Sequence, residues 1–189
     1  MRLVKPLAIG ALVAFELVVL GMIAMPNVEA QYRAVYIERK SECWPREVSG
    51  AIEAGRHVSF LEADAEGPSR HLLRCGWLRP EGTGTWSIGP EARLLLQVAA
   101  DRPVIIDLDL QPFSERQRVA VTVNGEPLTE WVLTKGSPRS QTLGVPPVAD
   151  GRLELAFHFP DAVAPRDLGL ANDRRKLAIR LLSLRLRPQ

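Results

Sequence analysis

The chain has 189 residues, 24% of them charged, and a formal net charge of +2. That length accommodates one domain with a real core but not two large ones. Near-balanced charge excludes the broad basic surface that nucleic-acid binding requires.

Arg2 and Lys5 precede an apolar run of 19 residues, positions 7–25. As a helix such a run is roughly 28 Å long, close to the hydrocarbon thickness of a bilayer. It predicts a single transmembrane helix, and the basic residues place its N-terminus in the cytoplasm and the rest of the chain outside. Glu16 falls mid-span. A carboxylate there points to contact with another membrane helix, or is a polar residue tolerated in protonated form. Pro26 followed by Val28-Glu29-Ala30 also has the small-residue pattern of a signal-peptidase site, with cleavage before Gln31. The run exceeds the roughly 7–15 residues of a signal-peptide core, which favours an uncleaved anchor over a secreted product. Residues 1–30 are thus the anchor or signal, 31–56 a connecting segment, and 57–189 the folded domain.

Cys43 and Cys75 are the two cysteines, without the CxxC spacing of metal or redox motifs. In an oxidising compartment they are expected to pair, closing a loop of about 33 residues and stabilising the fold by about 3–4 kcal/mol. Two unpaired thiols are the alternative.

Short strands are predicted at 33–40 and 57–62, with a turn or a single helical turn at 45–55. Residues 76–89, GWLRPEGTGTWSIG, carry Trp77, Trp86 and four glycines in 14 residues. Glycine and proline turn the chain there, so both indoles are expected on neighbouring strands. Val104, Ile106, Leu108 and Leu110 then share one face, with Asp107 and Asp109 opposite. Val119, Val121 and Val123 alternate up to Asn124-Gly125, a strong hairpin signal. The return strand, 128–134, carries Trp131. Leu153, Leu155, Phe157 and Phe159 form another face. The last strand, 177–187, shifts phase from Leu177, Ile179 and Leu181 to Leu182, Leu184 and Leu186, as a β-bulge would produce. Period-2 alternation with closely spaced turns predicts an all-β antiparallel sandwich.

Three blocks, GWLRPEGTGTWSIG, VTVNGEPLTEWVL and FHFPDAVAPRDLGLANDRRKLAIRLLSLRL, follow one another within residues 57–188. Together they resemble a jelly-roll domain family of bacterial envelope proteins, found beside or fused to membrane glycosyltransferases and other polysaccharide-assembly proteins. The resemblance implies a carbohydrate-binding-like jelly roll acting as a non-catalytic accessory module. It implies an inner-membrane, single-pass protein with its domain in the periplasm, and a glycan or a membrane glycosyltransferase as partner. Two positions depart from the family pattern: Thr83 replaces a third aromatic after the Pro-Glu pair, and Ala178 stands where glycine usually follows the Arg-x-Leu element.

Trp77, Trp86 and Trp131 are candidates for stacking on a pyranose, or else they are packing residues. Glu81, Asp173 and Arg175 are the charged residues to set beside them, as ligand contacts or as an ion pair and turn cap. No cofactor is called for, and no dense run of oxygen ligands indicates calcium. His57, His71 and His158 are scattered without a metal-ligand spacing, and Ser87 lies in no G-x-S-x-G elbow. These absences argue against an enzyme. A structural subunit that binds protein rather than glycan is the alternative.

Overall fold

A computed structural model describes residues 4–24, 52, 55–61, 67, 69–137 and 139–188. The expected strand at 33–40, the cleavage site after Ala30 and Cys43 lie outside these residues. The chain divides into two units, Met1–Glu42 and Cys43–Gln189.

In the first unit the apolar run forms one helix, α1 (Val4–Ala24). Leu12, Phe15, Leu17 and Leu20 are each about 60% exposed or more, and Val13, Val18 and Val19 are exposed as well. Apolar side chains therefore point outward all round α1. Among the described residues, however, no helix is long and apolar enough to cross a membrane.

The second unit is built from β1 (His57–Ser59), α2 (Ser69–Leu72), β2 (Thr85–Trp86), β3 (Glu91–Gln97), β4 (Val104–Pro112), β5 (Arg116–Val123), β6 (Glu126–Thr134), β7 (Ser140–Val145), β8 (Arg152–His158) and β9 (Ile179–Pro188). One sheet has the order β1-β9-β4-β7, with β2 also pairing β9, and the other β3-β8-β5-β6. All pairs are antiparallel. Early strands pair with late ones in a nested series: β1 and β2 with β9, β3 with β8, β4 with β7, β5 with β6. A long hairpin folded over on itself gives this order, which is that of a jelly roll.

Alternation in the sequence becomes the two sides of each sheet. On β4, Val104, Ile106, Leu108 and Leu110 are buried while Asp107 and Asp109 face outward. On β5 and β8, Val119, Val121, Leu153, Leu155 and Phe157 meet them across the core. Burying each large side chain contributes about 1.5–3 kcal/mol. Asn124 and Gly125 turn β5 into β6 with φ of 49° and 87°, the positive values a two-residue hairpin turn needs. The phase shift in the last strand is a bulge: Asp109 opposes Ser183 but Leu110 opposes Leu181, leaving Leu182 extra.

Two strands lacked a clear alternation. β3 buries Leu94, Leu95 and Leu96 in succession, so both of its faces are covered. β7 offers only Leu143 and Val145 to the core. The core also reaches back into the expected connecting segment, since Ile52 is buried in it and donates its N–H to the Gln97 carbonyl at 2.9 Å. A lone isoleucine carries no periodicity that would announce this.

Outside the core, Arg118 clasps Asp161 just after β8, donating from Nε at 2.9 Å, from Nη2 at 2.7 Å and from its backbone N–H at 3.1 Å. These donors hold the Asp161 carboxyl down to about 2. The folded state therefore favours the carboxylate. Its stabilising contribution is complete above the ordinary aspartate value of about 3.9 and disappears as pH falls through about 2. Acid unfolding of Asp161→Asn should accordingly show a shallower loss of stability between about pH 4 and 2 than the parent chain, in urea titrations at stepped pH. Parallel profiles would remove the pair from the acid response.

Candidate functional site

Residues 76–89 form the expected paired segment. Trp77 bridges Ser87, and Leu78 donates its N–H to the Trp86 carbonyl at 2.8 Å. Glu81 and Gly84 close the turn by exchanging backbone hydrogen bonds of 2.9 and 3.0 Å. The two indoles are neighbours in the pairing but differ in role.

Trp77 belongs to the core. Its Nε1–H donates to the Arg93 carbonyl at 2.8 Å, and its ring meets Phe157 edge-on at 6.1 Å. Trp131, opposite Val119, is likewise packed against the core from β6. Both indoles are partly buried, with one side committed to the core. Trp86 lines a cavity. It packs at a right angle to Phe113, with ring centroids 5.5 Å apart, and carries the Arg180 guanidinium 5.0 Å from its ring centroid. Such a cation–π contact is worth about 0.5–2 kcal/mol, depending on desolvation.

Register explains the pairing of Trp86 with Arg180. The two are direct partners across β2 and β9. Ile179 and Leu181 point into the core, so Arg180 must point out. From there it donates Nε–H to Gln111 Oε1 at 3.1 Å, donates a second N–H to the same oxygen, and bonds Thr83 Oγ1 from Nη1. Thr83 thus orients a cation instead of offering an aromatic face.

The cavity beside Trp86 measures about 240 Å³. Gln111 and Pro112 at the end of β4, Thr134 and Lys135 at the end of β6, and Ser137 and Arg139 ahead of β7 complete it with Arg180. It lies where strands end and loops begin, so its polar groups come from several separate elements. Lys135 is paired with Glu115, and Thr134 with Ser137 at 2.7 Å. Burial and the charge of Arg139 push the Arg180 pKa down, against a weaker upward pull from Glu81.

Glu81, Asp173 and Arg175 occupy the flank of this region. Asp173 accepts from the Arg175 backbone N–H at 2.9 Å and from Nη2 at 2.6 Å. The pair caps its own turn, and these bonds hold the Asp173 carboxyl below the usual range. Glu81 acts on Arg175 and Arg180 only through its charge. No ion pair ties Glu81 to Arg175 among the described residues.

A second cavity of about 320 Å³ opens on the outer face of the β1-β9-β4-β7 sheet, lined by His57, Asp107, Asp109, Ser140, Ser183 and Arg185. Two of its carboxylates are already engaged: Asp107 takes Arg187 and Thr142 from beside the cavity, and Ser183 donates to Asp109 at 3.3 Å. No tryptophan, tyrosine or phenylalanine lines it. Ser87 is buried, and its Oγ accepts the backbone N–H groups of Ala178 and Ile179 at 3.2 and 3.0 Å. His158 Nδ1 lies 3.1 Å from Glu91, on the opposite sheet. Cys75 is not a free thiol.

Gln111, Arg139 and Arg180 were not among the residues singled out from sequence. An outward arginine flanked by buried Ile179 and Leu181 was the available signal for Arg180.

No family model and no curated protein matches the chain. Among solved structures it is similar to carbohydrate-binding modules. One is a CBM36 module in complex with calcium and xylotriose, 15% identical, covering 55% of this chain and 79% of that one, with a TM-score of 0.37. Another is a CBM6 module from Clostridium stercorarium in complex with cellobiose, 11% identical, covering 75% of this chain and 100% of that one, with a TM-score of 0.40. A third is a CBM22 tandem from Paenibacillus barcinonensis, 14% identical, covering 75% and 48%, with a TM-score of 0.44.

Proposed function

We propose that this chain is a non-catalytic, membrane-anchored accessory protein whose extracytoplasmic jelly roll holds a glycan beside Trp86 during cell-envelope polysaccharide or glycoconjugate assembly. The cavity of about 240 Å³ carries the reading. It combines an indole with guanidinium, amide and hydroxyl groups from four strand ends, the mixture that orients a saccharide through its hydroxyls and its C–H face.

The anchor is α1, whose outward apolar side chains suit a lipid surrounding. Arg2 and Lys5 set its orientation in the bacterial inner membrane, with the domain in the periplasm, and Glu16 is its point of contact with a partner helix. Cys43 pairs with Cys75 in that oxidising compartment. One feature favours a non-catalytic role: Ser87 Oγ is occupied by two backbone donors.

A second reading, a structural subunit that docks protein, has its own observation. Trp77 and Trp131 are packed inward, while Leu168 and Leu170 are 45% and 67% exposed ahead of β9.

One preparation tests both readings. Full-length protein is purified from solubilised membranes, weighed intact without reductant, probed on a saccharide array, and its co-purifying proteins are identified. Retention of a saccharide, with a glycosyltransferase or polysaccharide-export protein alongside, supports the first reading. A mass lighter than the reduced chain by the hydrogens a disulfide removes supports the pairing. Silence on the array, with an unrelated membrane complex recovered, replaces the first reading by the second, and recovery only in the soluble fraction refutes the anchor.

A further inference from the structure

Charge in the cavity beside Trp86 is one-sided. Arg180, Arg139 and Lys135 line it, and no aspartate or glutamate does. Lys135 is neutralised by Glu115 outside the cavity. Arg180 is hydrogen-bonded by neutral partners, the Gln111 amide oxygen and the Thr83 hydroxyl, and lies over the Trp86 ring, while Glu81, outside the cavity lining, acts on it through charge alone; part of its donor fork remains available. Arg139 is exposed, with no carboxylate partner for its side chain among the described residues. Two like charges, the exposed Arg139 and the partly buried Arg180, thus line one recess without a counter-charge in its walls.

An anionic group entering between them would relieve the repulsion and engage donors already oriented. Guanidinium groups match carboxylates and sulfates in planar or forked geometry, and the contact strengthens where water is thinned out. The volume, about 240 Å³, lies below the roughly 300–1,000 Å³ of sites for drug-sized ligands, so it admits one monosaccharide residue and not an oligomer lying lengthwise.

We propose that the cavity selects a glycan residue bearing an anionic group, a uronate carboxylate or a sulfate ester, received between Arg139 and Arg180 beside Trp86. This specificity rests on the glycan reading above and narrows it. Burial and Arg139 both lower the Arg180 pKa, which is the electrostatic cost an anion would offset. The overall charge of +2 gives no hint of this local excess.

The test is calorimetric titration of the full-length protein in detergent with trigalacturonate, its fully methyl-esterified counterpart, and a sulfated galactan oligosaccharide. Trigalacturonate or the sulfated oligomer should bind at least about tenfold more tightly than the neutral ester. Whichever is tighter identifies the anionic group. That advantage should shrink as salt rises to about 0.5 M, and should fall in both Arg139→Gln and Arg180→Gln. Arg139 is exposed, so its variant should keep the parental unfolding midpoint and separates lost recognition from lost folding. Equal binding of acid and ester overturns the anion preference and leaves the glycan reading standing. Retention of the full advantage in Arg139→Gln also overturns it. Failure of every saccharide to bind removes the glycan reading, and this inference falls with it.

Discussion

Gly76→Ala should destabilise the sandwich by on the order of 4 kcal/mol, enough to leave a marginally stable domain largely unfolded. Gly76 has φ of +77°, and an added Cβ would lie 2.0 Å from the Glu91 carbonyl oxygen and 2.5 Å from Ala92 Cα. Both obstacles are backbone of β3, a strand paired to β8 along its whole length and buried at Ala92, so neither can step aside cheaply. Positive φ adds its own strain of about 1–2 kcal/mol for a residue with a side chain. Gly89 separates the two effects, because it has φ of +84° with nothing near the added Cβ. Gly89→Ala should therefore cost only that strain, about 1–2 kcal/mol. Urea unfolding followed by tryptophan fluorescence measures both. Equal costs would mean that the close approach to β3 yields, and the clash argument would be wrong.

The same approach shows why residues 76–89 were legible as a turn-rich hub while the different surroundings of their two indoles were not. Their glycines do set two tryptophans on paired segments. What no spacing reveals is the next layer: the Trp77 Nε1–H finds the Arg93 carbonyl, while Trp86 finds Arg180, distant in sequence. Alternation exposed β4, β5 and β8, and the phase slip at Leu182 exposed the bulge, because each follows from local period. β3 was not legible, since three consecutive leucines buried on both faces carry no period 2. The jelly-roll order is non-local as well. It is fixed by which early strand meets which late one, and family resemblance, not periodicity, supplied that expectation.

The candidate site shows the same division. Its aromatic member stood out by residue type, whereas Gln111, Arg139 and Arg180 looked like ordinary outward strand and loop residues. Their convergence depends on β4 and β6 ending, and β7 and β9 beginning, at one edge, which is a property of the fold. Asp173 and Arg175 illustrate the converse. Two charges two residues apart bind each other, so the turn cap, one of the two readings open for them, is what the bonds display.

Ser87→Ala should cost about 2–5 kcal/mol, because it strands two buried backbone N–H groups at once. Ser87 is fully buried, and its Oγ accepts from Ala178 at 3.2 Å and Ile179 at 3.0 Å, just where β9 begins. Its own N–H donates to the Ile179 carbonyl at 2.9 Å, so the hydroxyl completes a clasp between the end of β2 and the start of β9. Arg180 is the next residue, directly opposite Trp86. Loosening the clasp should therefore disturb the cavity before the domain unfolds. Saccharide binding by Ser87→Ala should weaken at temperatures where circular dichroism still reports an intact sandwich. Ser87→Thr keeps the acceptor oxygen but adds a methyl group in a fully buried place, a different and separable strain of about 1–3 kcal/mol. Parental stability in Ser87→Ala would show that the two N–H groups find other partners, and Ser87 would then have no part in holding Arg180 over the indole.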